Sequence, residues 1–152
     1  MMTAPIVEIS RREEFSASHR LHNPALGDEE NRRLYGPCNN PNGHGHNYEM
    51  EVTVRGEVPA ATGMVLDLNR LRALLREEIV QEVDHKHLNH DVPFLQGLIP
   101  TAENLAIAFW SRLEPRIEEF AGCTLYRIRL YESRNNFVEY RGPTRGPLKR
   151  EG

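Results

Sequence analysis

The chain has 152 residues, a formal net charge of −3 at pH 7 and 27% charged side chains. This length fits a single domain with its own core, and the slightly acidic balance offers no basic field for nucleic acid or an anionic membrane surface. No apolar run approaches the length of a membrane span, and the N-terminus lacks the features of a signal peptide. We therefore expect a protein of the cytoplasm without a nucleic-acid or membrane partner. The two cysteines, Cys38 and Cys123, are too few for a disulfide framework.

The first predicted strand lies between residues 6 and 21. In the second half of this segment, Phe15, Ala17 and Leu21 alternate with polar residues. His19 has the same parity and so falls on the less polar face. A histidine in such a position is more often a hydrogen-bonded core residue than a metal ligand. A neighbouring strand with further histidines would favour the interpretation of His19 as a metal ligand.

Residues 23–37 form a predicted polar loop that leads into a turn-rich stretch at 38–45. From about residue 46 to 57 the alternation of side chains indicates a strand. If His44 and His46 already belong to it, their imidazoles lie on one face. Two imidazoles are two of the three protein ligands that a catalytic zinc site needs. For this pair alone, solvated loop histidines are the simpler alternative.

All seven histidines precede residue 91, in three groups. The groups are His19 with His22, His44 with His46, and His85 with His87 and His90. Histidines scattered over a surface would rarely lie so close together in sequence, so the grouping favours a functional site. Cys38 lies in the turn-rich stretch, six residues before His44, and its thiol is a candidate nucleophile, base or metal ligand.

Two amphipathic helices are predicted next. Apolar residues at helical spacing indicate the first over residues 68–83, with Asp67 as its N-cap, and it ends at a polar loop. Thr101 is the predicted N-cap of the second helix, which Pro115 is expected to break or bend. Because both helices carry an apolar stripe, a sheet is the partner that we expect to cover them.

Residues 124–132 alternate as a strand. Its predicted apolar face carries Tyr126, Ile128 and Leu130. Glu132 falls at the end of that face, where a carboxylate needs a partner. A last strand follows at 137–141. The order β-β-α-α-β-β indicates a single α+β domain over residues 1–141 with both helices on one face of the sheet, followed by a flexible tail at 142–152.

Six motifs, in this order, resemble the 6-pyruvoyl tetrahydropterin synthase family over most of the chain. They are Phe-Ser-Ala-Ser-His19-Arg, Cys38-Asn-Asn-Pro-Asn-Gly-His44-Gly-His46-Asn-Tyr, Thr62-Gly-Met-Val, Asp84-His85-Lys, Thr101-Ala-Glu103-Asn and Tyr131-Glu132. The resemblance implies the tunnelling fold, a four-stranded antiparallel sheet with two helices between the second and third strands. It also implies a homohexamer, a dimer of trimers, whose active sites lie between subunits.

The resemblance also implies roles for nine residues. The implied zinc ligands are His19, His44 and His46. The implied catalytic residues are Cys38 as base, with Asp84 and His85 from a neighbouring subunit. The implied pterin-binding residues are Thr101, Glu103 and Glu132. A carboxylate suits the last role because it accepts from the paired N–H donors of an aminopyrimidinone. Structural alternatives are open for some of them: an N-cap for Thr101, a favourable helix-start charge for Glu103 and a hydrogen-bonded helix-end pair for Asp84 and His85.

The implied reaction is that of a lyase acting on 7,8-dihydroneopterin triphosphate, which loses triphosphate while its side chain undergoes an internal redox rearrangement. Zn²⁺ would acidify the C–H bonds beside the oxygens that it binds, and Cys38 would take and return a proton. Mg²⁺ would help to hold the triphosphate. Pro37 stands where animal members often carry a lysine, so Arg20, Lys86 or another cation would have to contact the triphosphate.

Two other functions stay open. The first is 6-carboxy-5,6,7,8-tetrahydropterin synthase of queuosine biosynthesis, which shares the zinc site and the substrate but releases acetaldehyde. The long spacing between Cys38 and His44 favours the pyruvoyl enzyme over this relative. The second is a non-catalytic homologue that binds zinc without turnover.

Overall fold

The computed structural model describes residues 4–143, and its centre is one five-stranded sheet. The strands are β1 (Ile6–His19), β2 (His44–Glu57), β3 (Lys86–His87), β4 (Cys123–Tyr131) and β5 (Phe137–Tyr140). Their order across the sheet is β3-β1-β2-β4-β5. The long strands pair antiparallel, whereas β3 pairs parallel with β1. The predicted α+β class is therefore confirmed.

The strand β3 corrects the prediction of a four-stranded antiparallel sheet. It belongs to a segment that the sequence indicated only as a polar loop. The backbone N–H of His85 donates to the Ser16 carbonyl at 2.6 Å, and that of Leu88 donates to the Ser18 carbonyl at 2.8 Å. These hydrogen bonds hold the loop against the edge of β1. A strand of two residues has no side-chain period, so its sequence carries no signal.

The helices are α1 (Asp28–Tyr35), α2 (Leu68–Leu75), α3 (Gln81–Val83) and α4 (Ala102–Ile117). A π-helical turn at Arg76–Val80 joins α2 to α3, so the predicted helix over 68–83 is present as one continuous segment. The side chains of Asp67 and Thr101 accept from backbone N–H groups of the first turns of α2 and α4, which confirms both N-caps. Between residues 4 and 143, the helices are too short or too polar to cross a membrane.

Pro115 does not break α4, which excludes one of the two effects expected of it. The helix continues to Ile117, and Pro115 is exposed, so the carbonyl left without an N–H partner lies on the solvent side. Two arginines also fix this end of the helix. Arg116 forms an ion pair with Glu78, and Arg112 donates from Nε to the Glu78 carbonyl at 3.0 Å.

The helix α1 lies inside the predicted loop at 23–37 and was not indicated by apolar periodicity. Its organising residue is Asn31, whose side chain is fully buried. The Nδ2 group of Asn31 donates to the carbonyls of Asn23, Leu26 and Gly27, and Oδ1 accepts from the Asn23 N–H at 2.8 Å. One amide thus satisfies four backbone groups, and the segment folds around a polar contact rather than around an apolar stripe.

The helices α2 and α4 cover one face of the sheet, as predicted. The largest fully buried side chains of this shared core include Tyr48, Met50, Leu71, Leu105 and Phe109. The opposite face is polar and carries ion pairs between neighbouring strands, such as Arg12 with Glu51 and Arg129 with Glu139. The apolar face continues, at the end of β1 and the start of β2, into the positions of the histidines.

A bulge in β4 corrects the predicted side-chain alternation. Thr53 pairs with Arg127 and Val54 pairs with Leu125, so Tyr126 is an extra residue in the register. Leu125, rather than Tyr126, is buried together with the apolar residues that follow. Farther along the chain, the tail predicted at 142–152 lies outside the described residues from position 144 onward.

Candidate metal centre and active site

Strand register brings three histidines together. In the antiparallel pair of β1 and β2, His19 lies opposite His44 and Ala17 lies opposite His46. Residues two apart in a strand share a face, so all three imidazoles project to the helix-covered side. Their ring centroids are 4.7 to 5.1 Å apart. The predicted pairing of a histidine on one strand with two on its neighbour is confirmed.

Two groups orient His19, and neither was predicted. Its Nδ1 lies 2.7 Å from the Pro100 carbonyl oxygen and 3.3 Å from the Tyr48 hydroxyl. Because a carbonyl only accepts, Nδ1 carries the hydrogen, and the lone pair of Nε2 is directed toward Nε2 of His44, at 3.2 Å. Burial lowers the pKa of His19 below its usual range, which favours the neutral, ligating form. Tyr48 lies two residues after His46 in β2 and so shares its face, whereas no sequence signal indicated Pro100.

His46 has an unsatisfied nitrogen. Its Nε2 is buried without a hydrogen-bond partner among the described residues. Glu132 Oε1 lies 3.3 Å away, but its direction does not suit a hydrogen bond, so we regard the contact as electrostatic. Burial also lowers the pKa of His46, although the Glu132 carboxylate acts in the opposite direction. The carboxylate at the end of β4 thus has the polar neighbour that its position required.

The three histidines fit a metal ion. Each offers one ring nitrogen, and these nitrogens all lie within 4.8 Å of one another. A buried Nε2 without a partner is costly unless something binds it, and neutral imidazoles are common ligands for a divalent metal. Three protein ligands also leave a coordination position for a substrate. Within residues 4–143 this is the one group of this kind, and Cys38 is outside it.

Gly43 permits the turn that leads into His44. Its φ is +73°, a backbone conformation that favours glycine, and an added Cβ would lie 3.0 Å from the His19 carbonyl oxygen. The same Cβ would lie 3.1 Å from Nε2 of His87. The close approach of backbone to backbone at Gly43 therefore sets the position of the first histidine of β2.

Cys38 lies near these histidines in the chain but on a separate element. It belongs to a 3₁₀ turn at Gly36–Asn39 and its side chain is partly buried. The Cys38 carbonyl accepts from the Leu21 N–H at 2.9 Å, and Asn39 Nδ2 donates to the Leu21 carbonyl at 2.8 Å. The turn is therefore fastened to the segment that directly follows β1.

Asp84 and His85 form a pair on the other edge of β1. Asp84 Oδ2 lies 3.0 Å from Nδ1 of His85, and Asp84 Oδ1 accepts from the Ser16 N–H at 2.9 Å. That backbone hydrogen bond lowers the pKa of Asp84, and the contact with His85 lowers it further. His85 has a φ of +61° and a side chain that is 83% exposed. The imidazole is thus held in an uncommon backbone conformation and points away from the core.

The remaining predicted site residues lie at the start of α4. Thr101 is partly buried and follows Pro100, whose carbonyl contacts His19. Glu103 is exposed in the first turn of the helix. The structure therefore brings Glu132 and the Thr101 segment to the histidines, while Glu103 is in solvent in the single chain.

Comparison with known proteins agrees with this arrangement. The family model described as 6-pyruvoyl tetrahydropterin synthase matches residues 8–143. The human protein named 6-pyruvoyl tetrahydrobiopterin synthase is 48% identical over 135 residues, which cover 89% of this chain and 91% of the human one. The chain belongs to the 6-pyruvoyl tetrahydropterin synthase family. This assignment accounts for nearly all of the described residues.

Two further comparisons show how the chain stands within its family and fold. The solved structure of 6-pyruvoyl tetrahydropterin synthase from Caenorhabditis elegans has a TM-score of 0.85 and 39% sequence identity, covering 94% of this chain and all of that one. The Rickettsia bellii protein named 6-carboxy-5,6,7,8-tetrahydropterin synthase is 27% identical, over 88% of this chain and 99% of that protein. The chain is thus more similar to the relatives with the pyruvoyl name.

Proposed function

We propose that this protein is a zinc-dependent 6-pyruvoyl tetrahydropterin synthase. Its substrate is 7,8-dihydroneopterin triphosphate, and the reaction eliminates triphosphate while the side chain is oxidised at the expense of the pterin ring. Because the ring takes up the electrons that the side chain loses, the reaction needs no external redox cofactor. The proposal includes an assembly of six chains, a dimer of trimers, and a location in the cytoplasm.

The observation that carries the proposal is the group of His19, His44 and His46 with the buried, unpaired Nε2 of His46. A family member with this group has the ligands for one catalytic metal and an open position for the substrate. Nitrogen-rich ligand sets suit Zn²⁺. When bound there, Zn²⁺ supplies Lewis acidity that makes the C–H bonds in the side chain of the substrate easier to deprotonate.

The carboxylate of Glu132 gives the site its proposed pterin recognition. It lies 3.3 Å from His46, at the boundary between the metal ligands and the end of β4. An ionised carboxylate accepts two hydrogen bonds from adjacent ring and amino N–H groups, a pattern that discriminates strongly when both partners are desolvated. Thr101 and Glu103 are the further groups that we assign to pterin binding.

Proton transfer falls to Cys38, Asp84 and His85 in this proposal. Cys38 takes a proton from the side chain of the substrate and returns it at another carbon, and the Asp84–His85 pair assists. The imidazole of His85 is 83% exposed and hydrogen-bonded to its carboxylate at 3.0 Å. Such a group is available to an active site on an adjacent chain, which supports the proposed assembly.

Product analysis tests the proposal. Purified protein loaded with Zn²⁺ would be incubated with 7,8-dihydroneopterin triphosphate and Mg²⁺, and its pterins identified by mass spectrometry together with any acetaldehyde. We expect 6-pyruvoyl tetrahydropterin and free triphosphate, without acetaldehyde. The matched control is the same protein after removal of the metal with a chelator.

Two other results would contradict the proposed activity. A carboxy-tetrahydropterin with acetaldehyde would assign the chain to the activity for which the Rickettsia bellii relative is named. No product from protein shown to hold Zn²⁺ and to be folded would favour a non-catalytic homologue.

A further inference from the structure

A cavity of about 350 Å³ lies beside the turn that carries Cys38, and only Arg20 of its lining was considered above, as one of several cations that could contact the triphosphate. Arg20 and Arg32 belong to its lining, together with Asp28. Two fixed positive charges against one negative charge make the cavity attractive to a polyvalent anion. Its volume lies in the range of small-molecule sites, about 300–1,000 Å³.

Arg20 is held in place before any ligand arrives. Its backbone N–H donates to Asn89 Oδ1 at 2.9 Å, and its carbonyl accepts from Asn89 Nδ2 at 2.8 Å. Its guanidinium Nε donates to the Asn39 carbonyl at 3.0 Å. These contacts fix the backbone of Arg20 and one edge of its guanidinium, while the terminal nitrogens make no hydrogen bond among the described residues. Such preorganisation lowers the entropy cost of binding an anion.

Arg32 reaches the same cavity from α1. It follows Asn31, whose buried amide fixes the segment through four hydrogen bonds. In the described part of the chain neither Arg20 nor Arg32 makes an ion pair, whereas the adjacent Arg33 is paired with Glu30. The two cavity arginines are therefore free to bind an external anion, and Arg33 is not.

The lining of the cavity also includes chain neighbours of the residues proposed to react. Arg20 directly follows His19, and the Cys38 carbonyl accepts from the Leu21 N–H at 2.9 Å. Chain neighbours of one candidate metal ligand and of the proposed base therefore line the cavity. Pro37 lines the cavity and has no charge to contribute, which leaves the anion to the two arginines.

We propose that this cavity, the Arg20–Arg32 pocket, binds the triphosphate end of the substrate. Arginine suits this role because its planar fork donates two parallel hydrogen bonds to phosphate oxygens. The identity of the ligand rests on the proposed function, but binding of a polyphosphate anion does not, so the two are measured separately.

The first measurement is calorimetric binding of inorganic tripolyphosphate to the Zn²⁺-loaded protein. Arg32→Ala is expected to weaken binding about tenfold and to reduce its dependence on salt, because one charge-assisted contact is lost. Arg33→Ala removes an equal charge from the same helix and is the matched control, with an expected change below about twofold. Arg20→Lys keeps its charge but loses the fork, so we expect an intermediate effect with unchanged zinc content.

The second measurement separates the substrate from a free anion. Arg32→Ala is expected to raise KM for dihydroneopterin triphosphate with kcat largely retained, while binding of unphosphorylated 7,8-dihydroneopterin is unchanged. Equal tripolyphosphate affinity in Arg32→Ala and Arg33→Ala would overturn the pocket itself. Loss of tripolyphosphate binding with an unchanged KM would overturn its assignment to the substrate. Absence of turnover in wild-type protein that still binds tripolyphosphate through Arg32 would count against the proposed function and not against the pocket.

Discussion

The metal centre and the residues assigned to proton transfer are built in different ways. His19, His44 and His46 sit on two paired strands of one chain, and His19 is completely buried. Cys38 and the Asp84–His85 pair lie on loops attached to β1 at different points, near Leu21 and at Ser16. The three possible metal ligands are thus brought together within a single chain, whereas the residues proposed for proton transfer lie on separate loops. If the proposed assembly is correct, a single chain can hold the metal before the residues for proton transfer are in place.

The largest expected effect is on the metal centre. His46→Ala removes one of three ligands, and we expect loss of stoichiometric zinc together with a fall in turnover on the order of 10³-fold or more. Zinc content is measured by atomic emission and turnover by triphosphate release. His90→Ala, a histidine outside the cluster, is the control and should retain its zinc. Full zinc content in His46→Ala would contradict the three-histidine site.

Cys38→Ala is expected to affect turnover alone. Loss of the proposed base should lower kcat by about 10²- to 10⁴-fold while zinc content and oligomeric state stay as in the wild type. Cys123→Ala removes the other, buried thiol and serves as control for the loss of a cysteine. Near-normal turnover would remove Cys38 from the mechanism, and loss of zinc would make it a ligand instead.

His85 offers a test in which stability and activity should separate. At a φ of +61°, glycine is preferred to alanine by about 1 kcal/mol, so His85→Gly should unfold at higher denaturant concentration than His85→Ala. Both variants lose the imidazole and should lose turnover by about 10²-fold. The difference between the two free energies of unfolding gives the cost of placing a residue with a Cβ in this backbone conformation. Two coincident curves would mean that position 85 relaxes its backbone once the imidazole is gone.

The smallest expected effect is a pH dependence of the metal-free protein. Burial lowers the pKa of His19 from its usual value of 6.5, so the unfolded chain binds a proton at a higher pH than the folded one. The stabilising contribution is complete above pH 6.5 and is lost as the pH falls toward the lowered folded value. The slope is at most about 1.4 kcal/mol per pH unit for this group. Urea unfolding between pH 7.5 and 5 measures it, and His19→Gln should show a shallower dependence.

Sequence reasoning succeeded where the physical cause is local and periodic. Alternation and helical spacing located the strands that carry His19, His44 and His46, and the caps at Asp67 and Thr101. It failed where the cause lies elsewhere in the chain. The contact of the Pro100 carbonyl with His19 joins residues 81 positions apart through a backbone atom that every residue type possesses.

The other errors have the same origin. The strand β3 forms through backbone hydrogen bonds to Ser16 and Ser18, which no side-chain pattern encodes. The bulge at Tyr126 shifts a register that a period of two could not anticipate. For α4, Pro115 was expected to break or bend the helix, but the helix continues to Ile117, and the ion pair of Arg116 with Glu78 holds its last turn.

The buried amide of Asn31 has a consequence for how this molecule could change over time. Because that side chain satisfies the loop's own carbonyls, the segment carrying α1 depends little on the sheet for its shape. Exposed residues of this segment, such as Arg32, can therefore be substituted without changing the strands that hold the histidines. A protein of this design can alter its preference for the charged end of a ligand while its metal chemistry stays fixed.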